Sequence, residues 1–454
     1  MNTPTTFQKT LELPVSQSAA FAYHERPGAL ARLIPPWENI RIAASDGSLR
    51  AGSRVQLKIG FLGLSYLAKH TVYDPPQRFQ DVQERGPFAS WQHDHRFDVV
   101  DDQHSTLTDH IEYRLPLGIV GQTLGNSIAR GKLESMFRYR HSTTLNDLQL
   151  TVDYPMSPQR IAISGSTGLL GTQLSAQLQL LGHHVDRIVR HSTDADDEIA
   201  VWDEDFQPDK LRRVDTVIHL AGKSIASGRW SKRLKQQIRD SRIDKTRALC
   251  ERLAALGDDK PSTLLCASAT GFYGSRGEEE LTEDSAAGEG FLPDVSQAWE
   301  AACQPAVDAG IRVVSMRFGM ILSPQGGALK SSLLPAKFAG GRLGNGQQWW
   351  SWIAIDDVLG AIYHALATPT LSGPVNFVSP QPLRNVEFAK TLGRVLKRPA
   401  LFPAPAVGLR LALGEMADAL LLTSARVQPN RLQQSGYSFR FPELEGALRH
   451  LLGR

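Results

Sequence analysis

RIAISGSTGLLG, residues 160–171, runs an apolar strand straight into a turn with glycines at 165, 168 and 171. Leu174, Leu178 and Leu181 then recur at helical spacing. Each glycine has a distinct physical use: the first permits a tight turn, the second lets a pyrophosphate approach the backbone, and the third lets the helix pack against the strand. Backbone N–H groups at the start of that helix are suited to phosphate oxygens. Gly165, Ser166, Thr167, Gly168, Leu169, Leu170 and Gly171 are therefore the expected dinucleotide contacts. The plain alternative is a glycine-rich turn with no ligand.

The chain that follows supports a parallel sheet. Gly182 ends the helix, and His184–Arg190 reads as a second strand. An NAD site usually ends that strand with a carboxylate for the adenosine ribose, but this chain has Arg190-His191-Ser192. An arginine can pair with a 2'-phosphate, so NADP is expected and NAD less so; the plain alternative is a surface arginine. Further apolar strands are expected at Thr216–Ala221, Ser262–Ser268 and Arg312–Met316, each after a plausible crossover helix. The expected fold class is α/β, a doubly wound Rossmann sheet.

Upstream, the two prolines of Asp153-Tyr-Pro-Met-Ser-Pro158 mark a linker. Before it, alternating runs at Arg54–Ile59, Tyr66–Tyr73, Phe79–Arg85, Ser90–Val99 and Ser105–Leu115 predict an antiparallel sheet with one buried face. Helices are expected at Ser16–Tyr23 and from about Gly121 to Thr143, the latter carrying Leu124, Ile128, Leu133, Phe137 and Tyr139. The division is thus an α+β domain over residues 1–152 and a nucleotide-binding domain over 158–454, of which about 321–454 forms a substrate lobe. A length of 454 residues is too great for one ordinary core, which agrees with that division.

Composition narrows the function classes. The formal net charge is only +3, with bases and acids interleaved, so nucleic acid is not an expected partner. Cys250, Cys266 and Cys303 are too few and too irregular for a disulfide framework, and no basic segment with an apolar core opens the chain. Cytoplasmic residence, no integral membrane segment and a small-molecule substrate are the expectations, and a homo-oligomer is compatible with them. Trp91, His93, His95 and Phe97 share one strand face, packed in the core or lying on the outer sheet surface. His93 and His95 could approach one metal, but spacing shows no third ligand, so no metal is expected.

Several separated motifs carry a resemblance: Gly165–Gly171, His219-Leu-Ala-Gly222, Gly228-Arg-Trp-Ser231, Asp240-Ser-Arg-Ile-Asp-Lys-Thr-Arg247, Ser268-Ala-Thr-Gly-Phe-Tyr-Gly274, Gly326-Gly-Ala-Leu329 and Trp349-Trp-Ser-Trp-Ile353. Across residues 160–454 the chain resembles the extended short-chain dehydrogenase/reductase superfamily, and within it the epimerase-like NAD-dependent epimerase/dehydratase family. The ending Arg426–Phe441 is similar to a DUF1731-like segment. Residues 1–150 resemble the helix-grip fold of the START and SRPBCC proteins in element order, which implies a cavity for an apolar ligand.

The resemblance implies a Tyr-x-x-x-Lys pair in FLPDVSQAWEAA, residues 291–302, yet neither residue is there. Val295 falls near the tyrosine place and Trp299 near the lysine place, where the indole could pack beside the cofactor. Ser268 takes the place of the substrate-orienting serine, or merely bonds its strand end. Tyr273 and Glu300 are candidate replacement acids, with a loop-closing tyrosine and a helix-surface glutamate as the plain alternatives. Leu220, Ala221, Gly222 and Ser241 are expected along the cofactor. Arg229, Trp230, Arg317, Gln348, Trp352 and Asp356 are expected at the substrate. An NADP-dependent oxidoreductase or sugar-nucleotide epimerase-like enzyme leads; a non-catalytic NADP-dependent sensor, or a hydrophobic-ligand-binding protein, is the alternative.

Overall fold

In the computed structural model, the described residues are 4–116, 118–191, 195–203 and 206–454, without the side chains of 118–124. Leu124 and Ser192, both named above, fall outside that description. The chain forms two compact units. One comprises Met1–Met156, Ala176–Gly182 and Leu451–Gly453; the other holds the remaining residues.

In the first unit the elements run β1 (Thr5–Leu13), α1 (Gln17–Glu25), α2 (Ala29–Leu33), β2 (Ile40–Ser45), β3 (Arg54–Ile59), β4 (Leu64–Asp74), β5 (Arg78–Arg85), β6 (Ser90–Val99), β7 (Ser105–Arg114) and α3 (Gly118–Asp153). The seven strands form one sheet in the order β1-β7-β6-β5-β4-β3-β2. Its pairings are antiparallel throughout. Alternation explains the sheet: in β7 every second residue from Ser105 to Tyr113 is buried. Phe7, Ile111, Tyr113, Leu133 and Phe137 make one core cluster, in which α3 supplies Leu133 and Phe137. Ser16 caps α1, its Oγ accepting from Ala19 N. The sequence did not announce β1 and β2, both sheet edges with polar or exposed residues at most positions.

The second unit opens with β8 (Arg160–Ser164), α4 (Leu169–Leu180), β9 (His184–Ile188), β10 (Glu198–Ile199), α5 (Pro208–Arg212), β11 (Thr216–His219), α6 (Lys232–Asp240) and α7 (Ile243–Ala254). It continues through β12 (Thr263–Ala269), β13 (Glu280–Leu281), α8 (Phe291–Ala301), α9 (Gln304–Asp308) and β14 (Arg312–Phe318). Then come β15 (Met320–Leu322), α10 (Gly327–Lys337), β16 (Gly340–Leu343), β17 (Trp349–Trp350), β18 (Trp352–Ala354), α11 (Ile355–Ala367) and β19 (Gly373–Phe377).

Seven strands form the parallel sheet β10-β9-β8-β11-β12-β14-β19. All residues of β11 are buried, as expected of a strand covered on both faces. The order reverses between β8 and β11, and the crevice beyond the carboxyl ends of those strands is where such sheets bind ligands. The apolar stretch Val407–Leu422 does not form one continuous helix. A helix over Ala406–Leu413 stops at Gly414, φ +64°, and one turn of π-helix follows over Ala417–Leu421. No helix among the described residues is long and apolar enough to cross a membrane.

Candidate active site

The glycine loop is built so that no side chain fits at Gly165 or Gly171. Gly165 has φ +72°, and a Cβ there would lie 2.9 Å from the carbonyl carbon of Leu220. A Cβ on Gly171 would come within 2.2 Å of the Gly165 carbonyl oxygen. Gly168 N donates to that same oxygen at 2.9 Å, closing the turn, and α4 begins at Leu169. Thr172 Oγ1 donates to Ser166 O at 3.2 Å, while Thr167 is exposed at the tip of the loop. A Cβ on Gly326 would meet Leu169 at 3.0 Å, which brings the Gly326-Gly-Ala-Leu329 segment beside the loop.

Behind the loop runs a buried polar chain that the sequence reading missed. Ser164 Oγ lies 2.6 Å from His219 Nδ1 and accepts from Leu220 N at 3.1 Å and Ala221 N at 3.3 Å. His219 Nε2 lies 3.0 Å from Thr246 Oγ1, which also accepts from Trp299 Nε1 at 2.9 Å. The Nε2–H tautomer satisfies every member: Ser164 donates to Nδ1 and His219 donates to Thr246. Residues 220–221 are thereby fixed against β8. Ser241 Oγ accepts from Lys223 N at 3.0 Å and so holds the next turn of that segment. Gly222 lies beside the Arg242 guanidinium, 3.4 Å from where its Cβ would be.

Burial lowers the pKa of His219 to about 4, so it is neutral in the fold. Protonation is then easier in the unfolded chain, whose histidines titrate near 6.5. Its contribution is fully present above pH 6.5 and is lost as pH falls towards 4, at up to about 1.4 kcal/mol per unit. His219→Gln should flatten the stability–pH curve across that window. Equal slopes for variant and wild type in denaturant titrations would overturn this assignment.

Two of the expected residues, Glu300 and Tyr273, converge on Arg317, and Ser268 joins them through Glu300. Its Nε and Nη2 each donate to Glu300 at 2.8 Å, and Nη1 donates to Tyr273 Oη at 2.9 Å and Glu283 O at 3.3 Å. Its guanidinium carbon lies 3.5 Å from the Phe272 ring centroid. Burial works against the Arg317 charge, but Glu300 and Tyr273 hold its pKa above the ordinary value. Ser268 Oγ donates to Glu300 Oε1 at 2.6 Å. Glu300 therefore faces inward from α8, unlike an ordinary surface glutamate.

Other expected residues stand elsewhere. Tyr273 is fully buried, its hydroxyl donating to Asn376 Oδ1 at 2.8 Å, and burial raises its pKa. A phenol so enclosed does not reach a substrate, which corrects its expected role as the acid. Trp299 is 6% exposed within the sheet core, its indole N–H taken by Thr246 and Arg242 stacked 5.0 Å over its ring, so packing beside a cofactor is corrected too.

Arg317 spends its three guanidinium nitrogens on Glu300, Tyr273 and Glu283, and so serves as the hub between them rather than a direct substrate contact. Trp352 is wholly buried with its N–H on Gln381 O, and Gln348 donates to Leu343 O and Leu421 O. Asp356 is 5% exposed beside Arg440 and His450. These three brace the lobe instead of lining a substrate surface. Arg229 is exposed near Gly414; Trp230 packs edge-on to Phe291 with ring centroids 5.1 Å apart, at the start of α8.

A parallel sheet with a reversed order, and a glycine loop at the reversal, define a nucleotide-binding protein of the Rossmann class. Residues 161–377 match the NAD dependent epimerase/dehydratase family, and residues 404–451 match a domain of unknown function, DUF1731. The chain is 42% identical over 292 residues to epimerase family protein Mb2239 of Mycobacterium bovis, a match covering 63% of this chain and 96% of that one. The chain belongs to the NAD dependent epimerase/dehydratase family.

Among solved structures, it is similar to a nucleoside-diphosphate sugar epimerase from Corynebacterium glutamicum, with 33% identity, a TM-score of 0.80, and 98% of this chain and 90% of that chain covered. It is also similar to human epimerase family protein SDR39U1 (isoform 2), solved with NADPH, with 31% identity, a TM-score of 0.59, and coverage of 64% and 99%.

The expected preference for NADP over NAD is corrected. Proteins of the same fold hold NAD: MoeE5 with UDP-glucose, at 18% identity and a TM-score of 0.51, and UDP-glucuronic acid 4-epimerase from Bacillus cereus, at 17% and 0.51. Arg190 is exposed at the end of β9, and a single exposed base does not exclude an unphosphorylated ribose.

Proposed function

We propose that this chain is a nicotinamide-dinucleotide-dependent enzyme that interconverts a hydroxyl and a carbonyl on a nucleotide-sugar substrate, with Ser268 and Glu300 handling the proton. The hydrogen bond from Ser268 Oγ to Glu300 at 2.6 Å carries the reading. It lies at the carboxyl end of β12, on the edge of the sheet where ligands bind. The tight turn that Gly165 and Gly171 permit, where a Cβ would meet backbone at 2.9 and 2.2 Å, fits a pyrophosphate at the start of α4. The dinucleotide held there would supply hydride exchange.

The direction of the serine bond decides the chemistry. Because Ser268 spends its proton on Glu300, its remaining lone pairs accept from a substrate hydroxyl. As that hydroxyl is oxidised, its proton passes to Ser268 Oγ while the serine proton passes to the carboxylate; reduction reverses both transfers. Arg317 aims the carboxylate through two parallel bonds. The Corynebacterium relative, named as a nucleoside-diphosphate sugar epimerase, supports the substrate class.

In this reading residues 1–152 form a helix-grip domain of the SRPBCC/START kind for an apolar ligand, supported by seven antiparallel strands followed by a long helix. Residues 158–454 form the catalytic domain, with 321–454 as its substrate lobe.

Nucleoside-diphosphate sugars incubated with the full chain and either dinucleotide should give an interconverted sugar by NMR. Ser268→Ala should lower turnover roughly 10²–10⁴-fold with cofactor affinity unchanged. Tight cofactor binding without turnover on any such sugar, or full activity in Ser268→Ala, would overturn the proposal.

A further inference from the structure

The first unit buries a cluster that its sequence spacing conceals. His93 and His95 lie two residues apart on β6, and Asp81 of β5 is the cross-strand partner of His93. All three therefore project from one face of the sheet. Their ligand atoms lie within 4.8 Å of one another. His93 Nδ1 is 3.7 Å from Asp81 Oδ2, and His95 Nε2 is 3.9 Å from the same oxygen. The third donor comes from the neighbouring strand, so no spacing within β6 could reveal it.

The opposite ring edges are already engaged by Asp109 of β7. Its Oδ1 takes His93 Nε2 at 2.9 Å and lies 2.8 Å from His95 Nδ1, although the latter is not aligned as a hydrogen bond. Its Oδ2 takes His141 Nε2, from α3, at 2.6 Å. A neutral imidazole that donates through one nitrogen presents a bare lone pair at the other. His93 meets that condition: its Nδ1 lone pair faces an Asp81 oxygen at 3.7 Å, too long for a hydrogen bond, acceptor against acceptor, and His95 Nε2 stands 3.9 Å from the same oxygen. A metal cation placed among them turns that repulsion into attraction. Carboxylates that bind the far nitrogens of metal-bound histidines are the usual supporting arrangement.

We propose that His93 Nδ1, His95 Nε2 and the Asp81 carboxylate bind a divalent first-row transition-metal ion such as Zn²⁺ or Fe²⁺, with Asp109 positioning the two imidazoles. Two imidazoles and one carboxylate with a position left open suit Zn²⁺ or Fe²⁺, whereas Mg²⁺ and Ca²⁺ require oxygen ligands. Ligand atoms about 2.0 Å from a tetrahedral ion stand about 3.3 Å apart, so the two histidine-to-carboxylate distances, 3.7 and 3.9 Å, would close by about half an ångström, within a set whose atoms all lie inside 4.8 Å. Phe79 stacks on His95 with centroids 4.0 Å apart, and Phe137 meets His93 edge-on at 5.4 Å, which fixes both rings.

The test uses the full chain stripped with a chelator and titrated separately with Zn²⁺, Fe²⁺ under anaerobic conditions, and Co²⁺ as a visible-absorbing probe. Binding of about one ion per chain, with a rise in melting temperature, is expected. Asp81→Asn and His95→Gln should abolish both effects, and Asp109→Asn should weaken affinity roughly 10–100-fold. Far-UV circular dichroism identifies any variant that does not fold. No ion bound by the wild type would overturn the site, as would binding undiminished in whichever of Asp81→Asn and His95→Gln folds. Should neither fold, Asp109→Asn decides on the same criterion, and the wild-type titration stands in any case.

Discussion

Gly171→Ala is expected to weaken nicotinamide-dinucleotide binding by roughly 10²–10⁴-fold, the equivalent of losing about two charge-assisted hydrogen bonds to phosphate. The cause is local. The new methyl would stand 2.2 Å from the Gly165 carbonyl oxygen and 2.8 Å from both the Gly165 carbonyl carbon and Ser166 Cα, all of them backbone atoms that cannot rotate away. The loop must therefore move as a whole, carrying its phosphate-binding N–H groups out of position. Gly168→Ala should do much less, because its Cβ would meet only the Gly165 oxygen, at 3.1 Å. Titration of NADH and NADPH by fluorescence compares the two, and equal affinities in Gly171→Ala and wild type would remove the loop from the binding site.

Arg317→Leu is expected to destabilise the second unit by about 3–5 kcal/mol, because it leaves the Glu300 carboxylate enclosed without its partner. That corresponds to a fall in melting temperature of roughly 6–20 °C. The Tyr273 hydroxyl and the Glu283 carbonyl also lose a donor. Arg317→Lys should recover only part, since an ammonium cannot reproduce two parallel bonds to Glu300 while also reaching Tyr273. The double variant Arg317→Leu/Glu300→Leu should be more stable than Arg317→Leu alone, because it removes the unpaired charge. A double variant less stable than the single one would refute the ion-pair account.

Most of the fold was legible because its signals are local. The glycine loop, the apolar strands and the alternation in β3–β7 are each written within a dozen residues. Ser90–Val99 was read with the boundaries that the structure has. Edge strands β1 and β2 escaped because an edge carries few buried side chains. β19 was missed because its Gly373-Pro374 start reads as a turn.

The site was legible in its members but not in their roles. Sequence put Ser268, Tyr273, Glu300 and Arg317 in the same neighbourhood. Which of them faces the cleft depends on pairings between β12, α8 and β14 that no single segment records. One clue was present: Ser296 and Glu300 stand four apart in α8, so an inward polar face was available beside Val295 and Trp299. Asp81 could be matched to His93 only once the β5–β6 register was known.

The register of the first sheet also sets an order of events during synthesis. Thr5 pairs with Tyr113, and Leu13 with Ser105, so the first strand made is hydrogen-bonded only to the last. β5, β6 and β7, by contrast, pair with their immediate neighbours in sequence and close only short loops. The hairpins that carry Asp81, His93, His95 and Asp109 can thus assemble early, while β1 waits unpaired until more than a hundred residues have left the ribosome.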